Sequence, residues 1–120
     1  MQRFNEDLVA VVAAADAVTV KVMLELPLLD PEQREVAVAA SVKAGVAYVK
    51  NVSSGIVGLA TAEDIRWLRS RIPEAMRIKA SGGITTREQT SELLAAGADL
   101  IGTSTGVEIV TGARKIGGSY

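Results

Sequence analysis

Four short β-rich segments recur along this chain, each followed by a helical pattern, and three of them carry charge on one face only. At residues 18–25, Lys21, Met23 and Glu25 alternate with Val20, Val22 and Leu24. At 46–50, Val46, Tyr48 and Lys50 alternate with Ala47 and Val49, and at 77–80 Arg77 and Lys79 alternate with Ile78 and Ala80. Successive side chains of a strand point to opposite faces, so each segment has one aliphatic face and one charged face. Repeated βα units imply parallel strands joined by crossover helices. An open parallel sheet is covered by helices on both sides and reads apolar on both. A charged inner face fits a barrel instead, whose interior supplies a site near the carboxyl ends of its strands.

Local punctuation sets the other elements. A helix is expected from residue 5 or 6 to 15. Asp30 as N-cap, Pro31 at the first helical position and Gln33 three residues after the cap start a second, running to about Lys43 and stopping at Gly45. Thr61 opens a third that ends before Pro73, and Thr86 with Gln89 makes a capping box for a fourth that stops at Gly97. A fourth strand is expected at 98–103 and a short helix at 106–110. Residues 44–50 (AGVAYVK) echo 96–102 (AGADLIG), as a repeated helix stop, strand and polar loop would. At 120 residues the chain reads as a single domain: a leading helix in 1–17, four βα units in 18–110 and a loosely ordered tail in 111–120. The expected class is α/β, half of a TIM-type (β/α)8 barrel, four parallel strands with outer helices.

Composition narrows the chemistry. The chain has no His and no Cys, which excludes disulfides and thiolate metal sites and removes the usual proton shuttle and nucleophile. No metal and no cofactor is expected. A net charge of −1 gives no electrostatic case for nucleic acid or an anionic membrane. No apolar run reaches the roughly 18–20 residues that span a bilayer. The apolar stretch 8–20 follows Glu6 and Asp7 and is interrupted by Asp16, unlike a signal peptide. A cytoplasmic location is expected.

Amine chemistry remains. Lys50 and Lys79 each end a strand-like segment and run into a loop of small residues, on the charged face in both cases. A neutral lysine amine can attack a carbonyl and form a Schiff base, and a neighbouring cation disfavours its protonation. The plainer reading of each is a strand-end lysine reaching solvent. Lys21 and Glu25 are expected to form a structural ion pair. Ser81-Gly82-Gly83 and the run Gly102 to Gly106, with Thr103 and Ser104, follow strands and precede helices. Such loops present backbone N–H groups to phosphate, although Gly, Ser and Thr also serve ordinary turns. Asp30, Thr61 and Thr86 are caps without catalytic roles. Trp67 and Leu68 are expected to pack on the sheet or at a subunit contact, and Arg66, Arg69 and Arg71 to form a solvated helix face.

The runs at 20–25 (VKVMLE), 48–51 (YVKN), 60–64 (ATAED), 78–84 (IKASGGI) and 101–107 (IGTSTGV) together resemble the C-terminal half of the deoxyribose-phosphate aldolase family. The resemblance implies a (β/α)8 barrel that cleaves 2-deoxyribose 5-phosphate to acetaldehyde and glyceraldehyde 3-phosphate without a metal. It implies Lys50 as the Schiff-base lysine, Lys79 as the second lysine that tunes it, and Gly82, Gly83, Thr103, Ser104 and Gly106 as the phosphate loops. It covers the last four βα units, and the family's acid/base aspartate belongs to the first four. The loop after Lys50 departs from the family pattern. Val52 replaces a small polar residue, Ser54 takes the glycine position and Gly55 comes one later, while Thr85 stands where the family often has a basic residue.

The expectation is thus a class I aldolase, weak or inactive as an isolated half. The alternative is a non-catalytic half-barrel module that binds a phosphate ligand or self-assembles. Expected partners are a sugar phosphate or small aldehyde as substrate and further copies of the chain, because unpaired strand edges favour a homo-oligomer, most simply a dimer.

Overall fold

A computed structural model describes residues 2–112 of the chain. The elements alternate as α1 (Gln2–Ala15), β1 (Lys21–Met23), α2 (Pro31–Ala44), β2 (Tyr48–Lys50), α3 (Ala62–Arg69), β3 (Arg77–Ser81), α4 (Arg87–Ala96), β4 (Leu100–Gly102) and α5 (Gly106–Thr111), with a 3-10 turn at Leu26–Leu28. The four strands form one sheet in the order β1-β2-β3-β4, every pair parallel. Sequential order with a crossover helix between neighbours is the plan of a (β/α)8 barrel cut in half. Of the tail expected over 111–120, Thr111 closes α5 and Gly112 caps it; the remainder lies outside the described residues.

Helix α1 begins at Gln2, earlier than the expected residue 5 or 6, whereas α2, α3 and α4 begin where their caps direct. The Asp30 side chain accepts from the Gln33 N–H at 2.8 Å while Gln33 returns a bond to the Asp30 N–H at 3.0 Å, and Thr86 with Gln89 repeats that capping box. Thr61 caps α3 through the Asp64 N–H at 3.1 Å. Gly45 and Gly97 end α2 and α4 at φ +74° and +118°, a conformation that glycine adopts without steric cost.

Three of the strands are shorter than their β-rich sequences, while β3 runs one residue past the expected 80 to Ser81. The first ends at Met23, since Glu25 turns into the left-handed region at φ 53° and starts the 3-10 turn. Val22, Val49, Ile78, Ala80 and Ile101 share the face covered by helices, and Val49, Ile78 and Ala80 are fully buried there. Leu8 of α1, Val38 of α2, Ile65 and Leu68 of α3, Leu93 of α4 and Ile109 of α5 complete this core. Leu68 packs as expected. Arg69 and Arg71 do more than face solvent. Arg69 donates to the Pro73 and Met76 carbonyls and pairs with Asp99, while Arg71 stacks on Trp67 and bonds Glu35.

No helix among the described residues is long and apolar enough to cross a membrane.

Candidate active site

The register decides what the other face presents. Lys50 of β2 pairs laterally with Lys79 of β3, with Met23 of β1 on one side of them and Leu100 of β4 on the other. Because Val49 and Ile78 are themselves register partners on the helix side, both lysines point to the inner face. Neighbouring strands lie about 4.8 Å apart, so the two side chains leave the sheet as immediate neighbours. Lys50 is only 8 % exposed and Lys79 is half-buried. The Lys50 ammonium stands 3.4 Å from the Ser53 carbonyl, which places it under the loop that follows its own strand.

That platform is held by a residue whose part the sequence did not disclose. Asn51, 1 % exposed, accepts from the Ser81 N–H and donates to the Ser81 carbonyl, both at 2.9 Å. The Ser81 hydroxyl donates in turn to the Val52 carbonyl. These bonds continue the β2–β3 pairing one residue past the end of β2, to the last residue of β3, and fix the point where Lys50 enters its loop. The pairing spans 30 residues, so no local pattern marks it.

The expected Lys21–Glu25 ion pair does not form. Residues four apart on an extended chain are separated by about 13 Å, and Glu25 has left the strand in any case. Its carboxylate accepts the Ser53 N–H at 2.6 Å, so it braces the loop over Lys50. Lys21 lies 4.7 Å from the centroid of the Tyr48 ring. The Tyr48 hydroxyl accepts a bond from Arg77 at 3.2 Å, and that bond pushes the guanidinium above its ordinary value.

The two glycine-rich loops meet. The Thr103 hydroxyl donates to the Ile84 carbonyl at 2.6 Å, and the Thr105 hydroxyl reaches the same carbonyl at 3.3 Å. Gly82 and Gly83 adopt φ +109° and +65°. Both also have packing reasons to lack a side chain. A Cβ on Gly82 would strike the Gly58 carbonyl and Val52, and one on Gly83 would strike the Leu59 side chain. Ser104 is exposed, and Gly106 opens α5 beside the Thr103 methyl. The loops after β2, β3 and β4 therefore share the carboxyl end of the sheet with the lysine pair. Among the described residues no group of three or more His, Cys, Asp or Glu side chains is placed to hold a metal ion.

No family model matches the chain. Individual relatives do. It is 42 % identical over 120 residues to deoxyribose-phosphate aldolase of Brevibacillus brevis, covering all of this chain and 54 % of that protein. It is 42 % identical over 111 residues to the protein of the same name from Methanocella arvoryzae, covering 92 % of this chain and 49 % of the relative. Among solved structures it is similar to the tetrameric deoxyribose phosphate aldolase of Aeropyrum pernix, at TM-score 0.80 and 32 % identity, over 89 % of this chain and 47 % of that one. A structure named QR15, an aldolase, matches at TM-score 0.81 and 32 % identity over 90 % and 49 %. The chain spans about half the length of the curated relatives it matches.

The Asn51 bonds carry a stability consequence. Asn51→Ala leaves the Ser81 N–H and C=O buried without partners, at about 1–3 kcal/mol for each such group. Urea unfolding should show that loss, and amide exchange at Ser81 should accelerate while exchange at Ile78 stays slow. An unchanged midpoint together with full protection at Ser81 would contradict the bracing role.

Proposed function

This chain is homologous to the deoxyribose-phosphate aldolases over about half of their length, and on that premise we propose that it carries the amine half of a Schiff-base aldolase site. The observation that supports this best is the lateral pairing of Lys50 with Lys79 on the inner face. In this reading the Lys50 amine attacks the aldehyde carbon of open-chain 2-deoxyribose 5-phosphate, and water leaves to give the iminium. Loss of the C3 hydroxyl proton to a base then breaks the C2–C3 bond. Its electron pair moves into the iminium as an enamine, and glyceraldehyde 3-phosphate departs. Protonation at C2 and hydrolysis release acetaldehyde and restore the amine.

Lys79 stands beside Lys50 at the next strand position, as the second lysine that the family resemblance pairs with the nucleophile. The loops carrying Gly82, Gly83, Thr103, Ser104 and Gly106 hold the phosphate through backbone N–H groups and the Ser104 hydroxyl. The C3 proton needs a carboxylate. Glu25 is committed to the Ser53 N–H, and the family resemblance assigns the acid/base aspartate to the other half of the barrel, so turnover by this chain by itself should be slight. The two outer strands, β1 and β4, each have one neighbour in the sheet, which supports assembly into a homo-oligomer, a dimer in the simplest case. A sedimentation profile showing only monomer at micromolar concentration would exclude that assembly.

Acetaldehyde with borohydride tests the nucleophile. Peptide mass mapping should place the reduced adduct on Lys50, and Lys50→Ala should abolish it. Lys79→Met should slow trapping. An adduct spread over surface lysines and unaffected by Lys50→Ala would favour the non-catalytic half-barrel module instead.

A further inference from the structure

Below the lysine pair, one layer toward the amino ends of the strands, the inner face carries a second row that the chemistry above leaves unused. Lys21, Tyr48 and Arg77 are lateral partners across β1, β2 and β3. Lys21 approaches the Tyr48 ring from one side, its ammonium 4.7 Å from the centroid. Arg77 approaches from the other, with one guanidinium N–H on the Tyr48 hydroxyl at 3.2 Å and its central carbon 5.9 Å from the ring centroid.

Both cations are exposed; among the described residues Lys21 meets the Tyr48 ring, while Arg77 bonds the Tyr48 hydroxyl and also feels the charge of Asp99. The carboxylates that form salt bridges are taken by Arg34, Arg69 and Arg71, and among the described residues none lies within 4.0 Å of the Lys21 ammonium or the Arg77 guanidinium. Among the described residues Arg77 spends one of five donors on Tyr48, and Lys21 meets the ring face. The Tyr48 hydroxyl accepts from Arg77 and keeps its own O–H to donate. Two positive charges and the Tyr48 hydroxyl thus stand side by side in one row of the inner face. A tetrahedral oxyanion supplies the matching charge and several acceptor oxygens, and charge-assisted bonds to such an anion are stronger than neutral ones.

We propose that Lys21, Tyr48 and Arg77 form a binding site for a phosphate group on the inner face of the sheet, one layer beneath Lys50 and Lys79 and separate from the glycine-rich loops. The site stands on residues that the proposed aldolase chemistry does not employ, so it is independent of whether Lys50 forms an imine. Its ligand is inorganic phosphate or the phosphoryl group of a small monoester.

The test is a 15N NMR titration of the whole chain at constant ionic strength, with inorganic phosphate in one arm and glycerol phosphate in the other. Saturable shifts at Tyr48 and at the Arg77 guanidinium nitrogen, in the millimolar range or tighter, are expected. Saturation by phosphate alone would identify the free ion as the ligand, and saturation by both would admit monoesters. Lys21→Met and Arg77→Met each remove an exposed charge, leave the core intact, and should weaken binding about tenfold or more. Tyr48→Phe should weaken it less, and Lys50→Met should leave it in place. Three results would overturn the proposal: shifts confined to Gly83 and Ser104, affinity unchanged in both Lys21→Met and Arg77→Met, or loss of binding in Lys50→Met.

Discussion

Everything at the carboxyl end of this sheet depends on one lateral register, Lys50 beside Lys79 with Val49 beside Ile78 on the opposite face. Strand side chains have a period of two, so a slip of one residue would exchange the faces of a strand. The slip is strongly disfavoured. Val49 and Ile78 are fully buried among the helices, each contributing about 1.5–3 kcal/mol relative to exposure. A lysine turned into that layer would lose its water without gaining a partner, at several kcal/mol per ion. The hydrophobic core therefore aims the lysines inward, although none of its residues touches the proposed chemistry. In that sense the site is a consequence of what the other face must bury.

The loops above the register are tied by polar contacts that cross between units. Asn51 binds the backbone of Ser81, Glu25 binds the Ser53 N–H, and Thr103 binds the Ile84 carbonyl, so the loops after β1 to β4 are linked in sequence. Such bracing keeps a nucleophile oriented without tight packing around its reactive atom. Glycines contribute by absence of bulk: Gly82 and Gly83 admit Gly58 and Leu59 from the preceding loop. Their conservative reading as turn residues and their reading as a phosphate cradle are compatible, because the same lack of a side chain that lets one backbone approach lets an anion approach another face.

Much of the fold was legible because its signals are short-ranged. The boxes at Asp30 and Gln33 and at Thr86 and Gln89 involve residues three apart, and the glycine stops at Gly45 and Gly97 follow directly. The neighbourhood of Lys50 and Lys79 was legible too, since consecutive βα units place consecutive strands side by side and alternation gives the face. What the sequence concealed is long-ranged. The Asn51–Ser81 bonds, the collision that keeps Gly82 bare and the stacking of Lys21 on Tyr48 join residues 24 to 30 positions apart. The Lys21–Glu25 pairing failed for a simple reason: strand geometry separates them, and a backbone reversal at Glu25 turns its carboxylate elsewhere. The ends of the first, second and fourth strands were overextended because Val, Thr and Leu favour extended chain beyond the stretch that finds ladder partners.

The central claim, that the sheet register sets Lys50 against Lys79 on a common face, is open to direct chemical measurement because the chain contains no cysteine. Paired variants carrying Lys50→Cys with Lys79→Cys, or Val49→Cys with Lys79→Cys, can be treated with a short bis-alkylating reagent and their intrachain cross-links quantified by mass spectrometry. The first pair should cross-link rapidly and in high yield, since both thiols leave the same face from adjacent strands. The second should react slowly, since one thiol is buried on the helix side. Equal rates, or faster bridging in the second pair, would mean that the register is wrong and that the two lysines do not share a site.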